Sequence, residues 1–181
     1  MESKTKLYRL LRDDEENPLE NGVTAKLPLA DETPLHHIRH GSRTQSQWIS
    51  TSRSLDDVKK LIRYKILHEG RKACRVVEID EQKLVKLKKE LNRLKIEKVM
   101  KILEILQKPS ELILTDLLMD YILTNTTGKI LDFTDESIMN TYIPNQFGNM
   151  TARGYAEKYS EVLVERYIPS ECCTRIHIVT M

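Results

Sequence analysis

Between Ser46 and Asp80 the chain changes its apolar period twice, and this stretch constrains the fold more than any other. Ser46-Gln47-Trp48-Ile49-Ser50-Thr51-Ser52 sets aromatic, β-branched and hydroxyl side chains in succession, the composition of a strand. Ser54 fits a helix N-cap, and Asp56 and Asp57 fall in the first turn, where carboxylates meet the positive end of the helix dipole. Leu55, Val58, Leu61, Ile62 and Ile66 then recur at three and four residues, so this helix buries one face. Glu69-Gly70 ends it, and Ala73 to Asp80 reads as another strand, alternating near its end. Strands and an amphipathic helix so close together need a layered domain with a shared core.

The flanks extend the pattern. Lys6 to Leu11 reads as a first strand. From Arg12 to Pro34 the chain is rich in turn formers (Asn17-Pro18, Asn21-Gly22, Pro28, Pro34), which predicts an irregular segment with one short element. Pro34 to His40 forms a helical turn stopped by Gly41. Glu81 to Gln107 carries the strongest helical signal, with Leu84, Leu87, Leu91, Leu94, Val99, Ile102 and Leu106 set among lysines and glutamates. Lys108-Pro109-Ser110 breaks it, and Ser110 caps a second helix running to Leu123. Ile130 to Gly148 reads as loop-rich, anchored by Phe133, Tyr142 and Phe147, while Thr151 to Lys158 fits helix or strand. Glu161-Val162-Leu163-Val164 and Arg175 to Val179 are the last two strands. The order predicts a single α+β domain over residues 1–181 with a helical insertion at about 81–149.

Composition narrows the class. With 181 residues, 40% hydrophobic and 31% charged, the chain has enough apolar content for a core and is not of the disordered type. A net charge of +2 does not by itself call for a nucleic-acid or membrane partner. There is no apolar run of the length that spans a bilayer, and Leu7-Tyr8-Arg9-Leu10-Leu11 is too short for a signal-peptide core. Cys74, Cys172 and Cys173 do not make a disulfide framework. A reducing, cytoplasmic home is the expectation, and an effector exported without a cleavable signal would carry the same features.

Three polar residues stand in strand-like apolar surroundings far apart in sequence: Arg9 in Leu7-Tyr8-Arg9, Ser50 in Trp48-Ile49-Ser50-Thr51-Ser52, and Glu161 in Ser160-Glu161-Val162-Leu163-Val164. Each alone is most simply a surface residue on a half-buried strand. Taken in order, they resemble the arginine–serine–glutamate class of NAD-dependent mono-ADP-ribosyltransferases, which places an Arg on the first strand, Ser-Thr-Ser on a middle strand and a catalytic Glu on a late one. Val76-Val77-Glu78-Ile79-Asp80, Ile168-Pro169 and Ile176 extend the likeness, which covers roughly residues 6–80 and 150–179. The resemblance implies an α+β fold around a mixed, mainly antiparallel sheet. It also implies NAD as a substrate whose nicotinamide is released, and no metal. Glu161 becomes the fixed anion that stabilises a cationic, oxocarbenium-like ribose. Arg9 becomes the ligand of the pyrophosphate or nearby ribose through paired hydrogen bonds. Tyr8, Ser50, Thr51 and Ser52 would line the cofactor site, with Ser50 as the central serine.

Other residues weigh differently. Members of that class that modify arginine carry Glu two residues before the catalytic one, and others carry Gln. Here Tyr159 stands there, so the resemblance does not imply an arginine target, and the ring offers an aromatic face to a base or side chain of the acceptor. His40-Gly41-Ser42 resembles the His-Gly-Ser of poly-ADP-ribose polymerases, which would put His40 against the ribose. Its place only a few residues before Trp48 favours a turn leading into the central strand. His36, His37 and His40 lack the converging partners of a zinc site, and Cys172-Cys173 lacks an activating base. The lysines of 81–107 are interspersed with Glu81, Glu90, Glu97 and Glu104, the pattern of a solvated face.

Three functions compete. The first is transfer of ADP-ribose from NAD to an unknown protein or nucleic-acid acceptor, with compact toxins and effectors as the nearest type. The second is a transferase-like module without turnover that binds nucleotides or proteins. The third is a nucleic-acid-modifying enzyme on the same fold, supported only by the lysine-rich helix.

Overall fold

A computed structural model describes residues 5–90, 93, 97 and 127–180, with Ser42 described without its side chain. Six strands form one antiparallel sheet: β1 (Lys6–Leu10), β3 (Trp48–Ser52), β4 (Ala73–Asp80), β5 (Ile130–Asp132), β6 (Glu161–Glu165) and β8 (Cys173–Thr180). Their order across the sheet is β5-β6-β3-β1-β4-β8. β2 (Val23–Thr24) and β7 (Tyr167–Ile168) pair separately as a small ribbon. The α+β expectation holds in the sheet and in the helices laid against it.

Local chemistry accounts for most helix ends. In α2 (Pro34–His40) the Thr33 side chain accepts from the His36 N–H, Pro34 sits in the first turn, and Gly41 follows at φ 58. In α3 (Leu55–Glu69) the Ser54 hydroxyl accepts from the Asp57 N–H, and Gly70 closes the helix at φ 68 in the left-handed region. Helix α4 occupies 81–90, with 93 and 97 also helical. Leu84 is fully buried and Leu87 packs beside it, which is the apolar face read from the sequence. The remainder of 81–107 and the helix expected from Ser110 to Leu123 lie outside the described residues.

The core has a layer on each face of the sheet. On one face Leu7, Ile49, Val77, Ile79, Val162 and Val164 pack with Leu84 of α4. On the other, Val58 and Ile62 of α3 cover Cys74 and Val76. Beside them Ile38 of α2 joins Trp48, Leu131 and Leu163 under Met139 of α5 (Glu136–Tyr142) and Ala152 and Ala156 of α6 (Met150–Lys158). α6 resolves a segment whose sequence fitted either state, and the two alanines four residues apart form its buried stripe.

Two expectations are corrected. The segment 12–34 holds two short elements rather than one: α1 (Pro18–Asn21), capped by Asn17, and β2. Residues 130–148 are not loop-rich. β5 pairs with β6 at the edge of the main sheet, α5 is capped by Asp135, whose side chain accepts from the Ser137 N–H, and a 3-10 turn spans Phe147–Asn149. A three-residue strand is too short to show a period, and its pairing partner lies some thirty residues downstream. Residues 130–149 therefore belong to the sheet and its covering layer, inside the stretch expected as insertion.

Arg53 joins these parts at the end of β3. Its guanidinium bonds Glu81 at the start of α4, and it donates from Nε and Nη2 to Asp132 of β5 at 3.0 and 2.8 Å. Bidentate pairing of a half-buried Arg with two carboxylates fixes the corner more firmly than an exposed ion pair would.

Candidate functional site

β6, β3 and β1 are neighbours in the sheet, so Glu161, Ser50 and Arg9 come together although they span most of the chain. All three open onto one cleft of about 900 Å³ between the strand ends and α2, α3 and α6. Tyr8, His40, Thr51, Ser52 and Tyr159 line the same cleft, so every site residue singled out from the sequence meets here.

Glu161 opens β6 and is 5% exposed. Its Oε1 has no hydrogen-bond partner among the described residues. Burial pushes its carboxyl up to about 7, and the Ser50 hydroxyl and the Arg9 charge pull it back only partly. A buried, half-satisfied carboxylate costs stability, and such groups collect at working sites.

Ser50 belongs to a hydrogen-bonded chain that the sequence did not announce. His37, on the buried face of α2, stands 3.0 Å from the Ser50 hydroxyl through Nε2 and 2.6 Å from the Ser46 hydroxyl through Nδ1. Its pKa is lowered to about 4, first by burial and then by the Arg9 and His36 charges, so it is neutral near pH 7. With Glu161 ionised and accepting from Ser50, the chain has one polarity. Nε2–H donates to Ser50 Oγ, and the Ser46 hydroxyl donates to Nδ1 while accepting from the Trp48 N–H at 3.3 Å. His40, the histidine singled out by its Gly-Ser neighbours, is exposed at the cleft rim with its ring 4.5 Å from that of His36. The available signal was helical: His37 shares the buried face with Pro34 and Ile38.

Arg9 departs from its expected geometry. β1 and β3 pair at one position, Tyr8↔Ser52, and beyond it the Arg9 guanidinium bridges the strands by donating from Nη1 to the Ser50 carbonyl at 2.8 Å. Its Nε and Nη2 both reach Glu15 Oε1, at 3.2 and 2.7 Å. Glu15 also accepts from the Arg12 N–H at 2.7 Å. The paired donors assigned to the cofactor are thus held by Glu15, a residue the sequence reading passed over.

The other two hydroxyls are likewise engaged within the protein. Thr51 Oγ1 donates to the Val162 carbonyl at 2.7 Å, and Ser52 Oγ donates to the Tyr159 carbonyl at 2.6 Å. Both therefore hold β6 and the turn before it. Tyr159 caps α6 with its ring 4.6 Å from that of Tyr155 and the Lys158 ammonium 5.3 Å from its centre. The cleft as a whole is basic, with eight arginines and lysines against four carboxylates.

The fold places the chain in the α+β class. It is similar to a solved structure named EcPltA at 12% identity, with a TM-score of 0.57, over 97% of this chain and 76% of that one. No family model matches the chain. No curated protein matches it either. Among the described residues no helix is long and apolar enough to cross a membrane.

Proposed function

We propose that the chain cleaves NAD between nicotinamide and ribose and transfers the ADP-ribose to an acceptor, protein or nucleic acid. The observation that carries this reading is the buried Glu161 carboxylate, one oxygen of it unpartnered among the described residues, in a cleft whose other charged groups are mostly cations. NAD has the complementary layout, a doubly anionic pyrophosphate and one cationic end at the nicotinamide ribose. The excess of cations along the cleft favours the first, and Glu161 faces the charge that passes to the ribose as the nicotinamide bond breaks. A cleft of about 900 Å³ is of the size that encloses such a ligand.

In this reading the glycosidic electron pair leaves with nicotinamide, and positive charge grows on the ribose. Glu161 stands preorganised against that charge, held by the Ser50 hydroxyl, which His37 orients in turn. Arg9 keeps the Ser50 backbone in place. The acceptor supplies the new bond to the ribose and gives up its proton. Tyr159, which lines the same cleft, would offer its ring to the acceptor.

Nicotinamide release from NAD by the full chain is the test. Glu161→Gln keeps the side chain's shape and removes its charge. It should lower kcat about a hundredfold or more, roughly 3 kcal/mol, with the Kd for NAD changed by less than about threefold, because the ribose charge grows mainly in the transition state. NAD binding without release by the wild-type chain would favour the binding module, and full activity in Glu161→Gln would remove the mechanism.

A further inference from the structure

The residue just before Glu161 has an uncommon backbone. Ser160 has φ 47, in the left-handed region that residues with a Cβ rarely enter. Glycine would adopt it unaided, yet the chain places serine there and holds it from outside.

The Ser160 N–H donates back to the Glu157 carbonyl of α6 at 3.2 Å, and three further bonds hold the turn from the corner between β3 and α3. The Ser52 hydroxyl donates to the Tyr159 carbonyl at 2.6 Å, and the Arg53 N–H donates to the Ser160 carbonyl at 3.0 Å. The Ser160 hydroxyl donates to Asp57 Oδ2 at 2.7 Å. Asp57 is fixed in its turn. It lies in the first turn of α3, its N–H donates to the Ser54 hydroxyl, and its Oδ1 accepts from Lys60 at 2.7 Å. Asp57 does not line the cleft, and its bond to Ser160 is what links it to the start of β6.

We infer that Asp57 is a positioning residue for Glu161: by holding Ser160 in its left-handed conformation it sets where β6 begins and where the Glu161 carboxylate stands. The inference rests on Glu161 being the working carboxylate. It makes Asp57, Ser160 and Glu161 one unit, in which the first turn of α3 is coupled to the start of β6 across a hundred residues of sequence. Tyr159, bonded through its carbonyl to Ser52, is carried by the same unit.

The experiment compares Asp57→Ala and Asp57→Asn in the full chain, and Asp57→Ala again in a Ser160→Gly background. The readouts are kcat and KM for nicotinamide release and the titration of the Glu161 carboxyl by 13C NMR. Asp57→Ala should lower kcat about tenfold with KM changed by less than about threefold, since the working group is displaced and not the binding surface. Asp57→Asn should stay within about threefold of wild type, because its amide oxygen still accepts from Ser160. In the Ser160→Gly background, Asp57→Ala should change kcat by less than about twofold, because glycine holds the turn unaided. The Lys60 partner is lost in both backgrounds, so a merely structural effect of Asp57 would persist, and equal losses in the two would overturn the inference. The Glu161 titration needs no turnover. Its midpoint should fall in Asp57→Ala, as the loosened carboxyl meets water, and return in the double variant. A chain that releases no nicotinamide but shows this titration pattern would lose the NAD reading and keep the positioning role. An unmoved midpoint would overturn the positioning role.

Discussion

Arg9 and Glu15 form a buried ion pair in which two guanidinium nitrogens, Nη2 and Nε, meet a single carboxylate oxygen at 2.7 and 3.2 Å. Both side chains are under 10% exposed. The pair lies six residues apart along the chain and closes the segment after β1 back onto the strand. A buried pair of this kind is weak evidence of added stability, but breaking it leaves one charge in the core.

Removing only one partner should therefore be costly. Glu15→Ala leaves the Arg9 guanidinium buried without its anion, and unfolding free energy should fall by about 3 kcal/mol in urea titrations. Replacing both, as Arg9→Met with Glu15→Leu, should recover much of that loss. The double variant separates folding from function. It should fold and yet, on the proposed function, bind NAD at least about tenfold more weakly, since the guanidinium that holds the Ser50 backbone in the cleft is gone. Unchanged NAD affinity in a folded double variant would remove Arg9 from the binding site.

The raised Glu161 pKa sets two pH dependences. In the proposed reaction Glu161 works as an anion, so kcat/KM for nicotinamide release should climb as pH rises through about 7 and level above it. For stability, a folded pKa raised from 4.5 to about 7 means the group favours the fold fully below pH 4.5, and that contribution is lost as pH rises through about 7. Between pH 5 and 8 the melting temperature of Glu161→Gln should consequently gain on that of the wild type. A gap that stays constant over this range would mean that the carboxyl titrates normally.

His37 works in the opposite sense. Its folded pKa is depressed from 6.5 to about 4, so its contribution is present above pH 6.5 and lost as pH falls through about 4. The two groups nearly offset each other between pH 4.5 and 6.5, which predicts a shallow wild-type stability profile there. In His37→Asn the Glu161 contribution stands alone, and the variant's melting temperature relative to wild type should improve on acidification from pH 6.5 to 4. The same change breaks the chain through Ser50 and should lower kcat for nicotinamide release about tenfold. Melting curves across that range and one turnover assay check both.

What the sequence alone determined is what short-range physics encodes. The Ser54 cap, the three- and four-residue recurrence from Leu55 to Ile66 and the Gly70 stop define α3 without reference to the rest of the protein. Pro34 and Gly41 do the same for α2, and the apolar and hydroxyl pattern marks β1, β3, β4, β6 and β8. The residues of the cleft were legible as chemistry in strand-like surroundings. Their roles in detail were not, because a strand's neighbours are chosen across long sequence separations: β6 lies between β3, over a hundred residues upstream, and the three-residue β5. Only the folded sheet splays β1 from β3 so that Arg9 reaches the Ser50 carbonyl, and only the packed loop brings Glu15 under that guanidinium. His37 was visible as a residue on a short helix, but which of three nearby histidines faces Ser50 depends on how α2 rotates to bury Ile38 against Trp48. Side-chain pairs made by tertiary contact leave no period in the chain, and the hydrogen bonds that orient Glu161 are all of that kind.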